Sequence, residues 1–150
     1  ISHMNIKKFD QAFIAFASRW FDPLARVALF IIFAYFGALK LLDLSPAQDL
    51  ALELVDKTVG LQYFDQLFFI LALFEVIIGI LFLIPKFTRV VILLMLIHMI
   101  IVCSPLLVTP DSVWLKPFVP NLEGQYIIKN LALLILALGL VSRTKPIINK

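Results

Sequence analysis

The segment Phe64 to Ile84 is apolar over most of its length and carries Glu75 near its centre. A stretch of about 20 such residues matches the hydrocarbon thickness of a bilayer when helical. Lipid cannot satisfy an open backbone, so a spanning segment of this kind must be a helix. A carboxylate at its middle costs roughly 2.5–3.5 kcal/mol on insertion scales, which predicts that Glu75 faces protein and has a partner. His98, equally deep in the next apolar run, is one candidate.

Three further runs have spanning character: Leu24 to Leu42, Val90 to Leu107 and Tyr126 to Val141. The composition agrees, since 62% of residues are hydrophobic and 15% charged, against about 45–50% and 25% in soluble domains. The predicted fold is all-α, a four-helix transmembrane bundle. An amphipathic helix precedes it, and a short extramembrane helix separates the first and second spans. Asp22-Pro23 reads as an N-cap followed by proline at the first helical position. Pro85 stops the second span, Thr88 is the expected cap of the third, and the fourth borrows flanking residues. The 85–89 turn is so short that the second and third spans must be antiparallel neighbours. Pro105, Pro110, Pro117 and Pro120 predict an irregular outer connection from Ser104 to Gly124, with Trp114 at the interface.

Ile1-Ser2-His3-Met4 resembles a tag remnant, so residues 1–4 are set aside. Residues 5–22 follow as an interfacial segment, 23–143 as the membrane domain and 144–150 as a cytoplasmic tail. Ile6, Phe9, Phe13, Phe16 and Trp20 share one stripe of the interfacial segment, with Lys7, Lys8, Asp10 and Arg19 mostly opposite, which fits a helix lying on the inner leaflet. Ser45-Pro46-Ala47-Gln48 is a capping-box signature and Gly60 suits the end of the helix it opens. That helix places Ala47, Leu50, Ala51, Leu54 and Val55 on one face, pairs Glu53 with Lys57 outside, and is expected to lie across the outer mouth of the bundle.

Charge sets the orientation. Lys7, Lys8, Arg19, Arg26, Lys86, Arg89, Arg143, Lys145 and Lys150 lie on the side of the termini and the 85–89 turn, with only Asp10 and Asp22 as acids. The opposite side holds Lys40, Lys57, Lys116 and Lys129 among a larger number of acids. The positive-inside rule therefore predicts a multi-pass protein with both termini cytoplasmic. The net charge of +3 is too small and scattered to suggest nucleic acid. Cys103 is the only cysteine, which excludes an internal disulfide and a paired-thiol relay. With His98 the only histidine outside the tag remnant, bis-histidine haem is excluded, and no metal-ligand spacing is apparent. No cleavable signal peptide is visible, because the first long apolar run begins near Leu24.

Glu75 lies ten residues before Pro85 and His98 ten after Thr88, so both are about 15 Å from the cytoplasmic boundary. Tyr35 reaches a similar level in the first span. Phe68, Ala72, Gly79 and Phe82 align with Glu75 at helical spacing, and the small residues permit close helix approach. Lys40 and Lys129 sit nearer the outer ends of their spans, where snorkelling to headgroups is one expectation. The other is a pocket open to the outer side, with Lys40, Gln125 and Lys129 at its rim and Glu75 below. Glu75 either locks the bundle through Tyr35 or His98, or relays a proton with His98. The candidate ligand-binding residues are thus Glu75, His98, Lys40, Lys129, Tyr35 and Gln125, with no catalytic or metal-binding set.

Gly37-Ala38-Leu39-Lys40, Glu75-Val76-Ile77-Ile78-Gly79 and Gly124-Gln125-Tyr126 followed by Lys129-Asn130 resemble the DoxX-like membrane proteins, in their YkgB-type bacterial inner-membrane branch. The resemblance implies a four-helix membrane bundle associated with redox or oxidative-stress functions. Some relatives are small membrane subunits of thiosulfate:quinone oxidoreductase or join assemblies with redox partners. By position it implicates Lys40, Glu75 and Lys129. With no paired cysteine and no flavin or nucleotide fingerprint, electron transfer would require a bound quinone or a partner subunit. The leading expectation is a quinone-like or other amphipathic ligand among the first three spans. The alternatives are a small-anion or lipid binding or transport protein, as a homo-oligomer if a transporter, and a non-catalytic scaffold subunit. None of these makes the chain an enzyme by itself.

Overall fold

The computed structural model describes residues 2–146. Ile1, from the segment read as a tag remnant, and residues 147–150, from the segment read as a tail, lie outside the described residues. Helix α1 runs from Ser2 to Leu41, α2 from Gln48 to Asp56, α3 from Phe64 to Phe82 and α4 from Thr88 to Cys103. Two single turns follow, α5 (Pro105–Val108) and α6 (Pro110–Val113). A small hairpin of β1 (Trp114–Lys116) and β2 (Val119–Pro120) then leads into α7 (Leu122–Ser142). Four helical segments are long and apolar enough to cross a membrane. They pack as a ring in which α1 meets α3, α3 meets α4, α4 meets α7 and α7 returns to α1.

The interior of the ring is apolar, built on Leu29, Phe33, Ile78, Phe82, Met95 and Leu140. Its outside is equally apolar: Ile70, Leu93, Ile100, Leu131 and Ile135 are all exposed. A water-soluble bundle would carry polar groups there, whereas a bundle solvated by lipid has no reason to. The chain is an integral membrane protein.

The closest packing is between α1 and α3. A Cβ at Gly37 would stand 2.8 Å from the Ala72 carbonyl oxygen, and one at Gly79 would stand 2.6 Å from the Ala34 amide nitrogen. Small residues thus interlock from both helices and bring the two backbones together.

Asp22-Pro23 does not start a helix, because α1 is continuous and Pro23 lies inside it. Proline forfeits one backbone bond, to Arg19, which leaves the remaining turns to carry the helix. Arg143 from the end of α7 reinforces this point. Its guanidinium donates to the Ser18 carbonyl at 2.9 Å, pairs with Asp22 at 3.5 Å and lies 4.5 Å from the Phe21 ring centre. The amphipathic segment and the first span are consequently one helix of 40 residues, about 60 Å long and longer than the bilayer core is thick.

Local capping also departs from expectation. Ser45 Oγ accepts the Ala47 amide at 3.3 Å, and α2 starts only at Gln48. Thr88 makes no N-cap; its hydroxyl donates back to the Pro85 carbonyl at 2.7 Å. The outer connection is more ordered than its prolines suggested, because Pro105 and Pro110 each occupy the first position of a short helix, where a missing amide donor does no harm. Asn121 caps α7 by accepting the Gly124 amide at 2.9 Å, and its own amide group donates to the Ser112 carbonyl at 2.7 Å. Glu53 accepts from Lys57 at 2.8 Å and also from the Ser112 hydroxyl, clasping α2 to α6.

Candidate functional site

Glu75 is the hub of a three-helix junction. One carboxylate oxygen accepts from Lys40 Nζ of α1 at 2.7 Å. The other lies 2.8 Å from Nε2 of His98 on α4. All three side chains are withdrawn from the surface, with exposures of 9% for Lys40, 6% for Glu75 and 5% for His98. An unpaired carboxylate or ammonium in such surroundings would be strongly unfavourable, but here the two charges neutralise each other and each is hydrogen-bonded.

The direction of each helix explains the pairing. Helical side chains lean toward the N-terminus of their own helix. Lys40, in the last turn of α1, therefore reaches back into the bundle. Glu75 lies on the antiparallel α3 and leans the opposite way, toward Lys40. Burial rules out the snorkelling expectation for Lys40.

Two aromatic rings flank the imidazole. Phe33 stands edge-on at 5.3 Å between centroids, and Phe74 lies at 6.3 Å. Phe33 is buried in the core, whereas Phe74 is only partly covered. Nδ1 of His98 is buried and has no hydrogen-bond partner among the described residues.

The other three candidates are not at this junction. Tyr35 is 58% exposed on the outside of α1, beside Phe36 at 5.8 Å. Gln125 is exposed near the start of α7. Lys129 is also exposed, with Nζ 5.0 Å from the Tyr126 ring centre. Because α7 runs opposite to α1, the same N-terminal lean that draws Lys40 inward carries Lys129 toward the outer boundary.

Sequence reasoning treated Arg26 only as a flanking charge. In the structure it donates to the Phe82 carbonyl at 3.1 Å and to Thr88 Oγ1 at 2.8 Å. It thereby occupies the carbonyl end of α3, where a cation is favoured. The available signal was its position inside the run opening at Leu24, one turn beyond Pro23, level with the end of an antiparallel neighbour.

A family model described as DoxX-like matches residues 31–138. The chain belongs to the DoxX-like family. The matched stretch contains Lys40, Glu75 and His98 together with all of α2, α3 and α4, so the three-helix junction lies within the part of the chain the family defines. The exposed N-terminal arm of α1 and Arg26 lie outside the match. Comparison with curated proteins and with solved structures gave no match.

Proposed function

We propose that this DoxX-like protein is a small component of a redox or stress-response system in the bacterial inner membrane, and that it holds a quinone-like amphipathic ligand at the Lys40–Glu75–His98 junction. The observation that carries the reading is the chain of three buried polar side chains in an apolar bundle, ending in a ring nitrogen with no partner among the described residues. A purely structural polar network is normally satisfied throughout. Flanking aromatic rings suit a planar headgroup, and the apolar exterior suits an isoprenoid or acyl tail. Any electron transfer would then run between the ligand and a partner subunit.

Orientation follows the same reading. Arg26, Arg89 and Arg143 gather at the end of the bundle that holds the α3–α4 turn. This supports cytoplasmic placement of that end and of both termini. Tyr35, Gln125 and Lys129 would then contribute at lipid-facing and outer surfaces rather than to the ligand headgroup. Lys40 is already neutralised by Glu75, which weakens a small-anion site built on the two lysines.

A scaffold role is the second reading. It is favoured because both Glu75 oxygens are occupied and tie α1, α3 and α4 together. Native mass spectrometry of nanodisc-purified protein separates the two. The ligand reading predicts a quinone or similar lipophile retained by wild type and lost from Glu75→Gln. No retained molecule in either protein, with Glu75→Gln less stable than wild type, supports the scaffold.

A further inference from the structure

The hydrogen-bond directions at Glu75 specify the polarity of what can meet His98. Lys40 Nζ has only protons to offer, so the Glu75 oxygen 2.7 Å away is an acceptor. With Glu75 as the anion of that pair, its second oxygen is an acceptor too. The His98 Nε2 at 2.8 Å must therefore carry the proton it donates. Lys40 and Glu75 already sum to zero charge, and a second proton on the imidazole would leave a net cation in an apolar interior. His98 is then the neutral tautomer protonated at Nε2, and Nδ1 presents a lone pair.

That lone pair is buried and unpartnered among the described residues. The imidazole has the Phe33 ring centre at 5.3 Å and that of Phe74 at 6.3 Å. Phe33 belongs to the core, and Phe74 packs against it while remaining half-buried. An acceptor nitrogen beside aromatic rings, inside an apolar bundle, calls for a ligand with three properties. It must donate a hydrogen bond, present a flat ring and partition into the bilayer.

We propose that His98 Nδ1 is the acceptor for a ligand hydroxyl, and that the junction takes a lipophilic aromatic alcohol of the phenol or hydroquinone class, admitted from the bilayer past Phe74. This rests on the ligand-site reading above and narrows it. A quinone carbonyl is itself an acceptor and would oppose Nδ1, whereas the hydroxyl of the reduced ring completes it. The same nitrogen would thus make the site selective for the reduced form without any change in shape.

The test is binding of three probes to the full-length protein in nanodiscs: a lipophilic benzohydroquinone, its dimethyl ether and the corresponding quinone. Wild type should bind the hydroquinone about tenfold more tightly than the ether or the quinone, the worth of one hydrogen bond to an otherwise unsatisfied group. His98→Gln sets an amide donor near the Nε2 position while deleting Nδ1, and should bring the three affinities together. Equal binding of all three probes by wild type, or a preference for the quinone, overturns the hydroxyl assignment and leaves the ligand site standing. Failure of all three probes to bind overturns both. A preference that persists undiminished in a folded His98→Gln protein removes Nδ1 as its source.

Discussion

Lys40 Nζ stands 2.7 Å from Glu75 Oε2, although Lys40 belongs to the last turn of α1 and Glu75 to the middle of α3. Gly37 makes this reach possible, because it lets α1 approach α3 until the two backbones nearly touch one turn below Lys40. His98 completes the arrangement from α4, so a single carboxylate joins three of the four helices. Opposite charges at that depth are tolerated because they pair with each other.

Arg26 should matter for stability as much as many core residues. Arg26→Met removes donors to the Phe82 carbonyl and Thr88 hydroxyl, and is expected to cost about 1–3 kcal/mol. Arg26→Lys should recover only part of this, since an ammonium cannot reproduce the two-pronged geometry. Denaturant unfolding in detergent micelles measures both, and equal stability of all three proteins would contradict the capping role.

Gly79 and Gly139 provide a contrast in what a methyl group meets. At Gly79 the added Cβ falls 2.6 Å from the Ala34 backbone nitrogen, while at Gly139 it meets the tip of the Phe21 ring at 2.8 Å. A ring can turn aside, but two helix backbones must separate. Gly79→Ala should therefore lower stability by about 1–3 kcal/mol, with Gly139→Ala costing clearly less. Parallel thermal melts give the comparison.

Asp43 holds a left-handed backbone, with φ of 55°. It terminates α1 with a Schellman pair, the Leu44 amide donating to the Leu39 carbonyl at 2.9 Å and the Asp43 amide to that of Lys40 at 3.3 Å. Glycine adopts this conformation without the side-chain penalty. Asp43→Gly is expected to stabilise the protein by about 0.5–1 kcal/mol, the left-handed penalty relieved less the freedom glycine adds to the unfolded chain, read as a rise in melting temperature.

The outer clasp should respond to acid. The hydrogen bond from Lys57, and then that from Ser112, hold the Glu53 carboxyl below its usual range. A group whose pKa is depressed by folding stabilises the fold above its unfolded pKa, and that contribution is lost as pH falls through the folded value. The joint between α2 and α6 should therefore be intact at neutral pH and loosen below the ordinary carboxylate range. Protection of α2 amides against hydrogen exchange, taken relative to their intrinsic rates, should fall there, and Glu53→Gln should remove that fall.

The level of a residue along its helix was legible in the sequence, and its direction around the helix less so. Glu75 and His98 were placed at one depth by counting from the 85–89 turn, and they meet there. Tyr35 is near that depth too, yet it lies two residues from both Phe33 and Gly37, about 200° around the helix from each. Those residues are buried, so Tyr35 must point away. Ile127 is buried and Lys129 is two residues on, with the same result. The spacing Ala25, Leu29, Phe33, Gly37 marks the inner stripe of α1 in retrospect. Lys40, three residues past Gly37 and seven past Phe33, continues it by spacing, and the lean of its side chain brings its ammonium down to Glu75. The outer connection was obscured for another reason: Pro105 and Pro110 start helices as readily as they break them.

The most direct test of the junction is a double-mutant cycle on Lys40→Met and Glu75→Gln, with unfolding free energies measured in the same micelles. Removing either partner alone strands a buried polar group and should cost about 3–5 kcal/mol. The double variant should recover much of that loss, giving a coupling energy above about 1 kcal/mol. Single effects that add to within about 0.5 kcal/mol would show that the two side chains do not act as a pair, and the account of this site would fail with them.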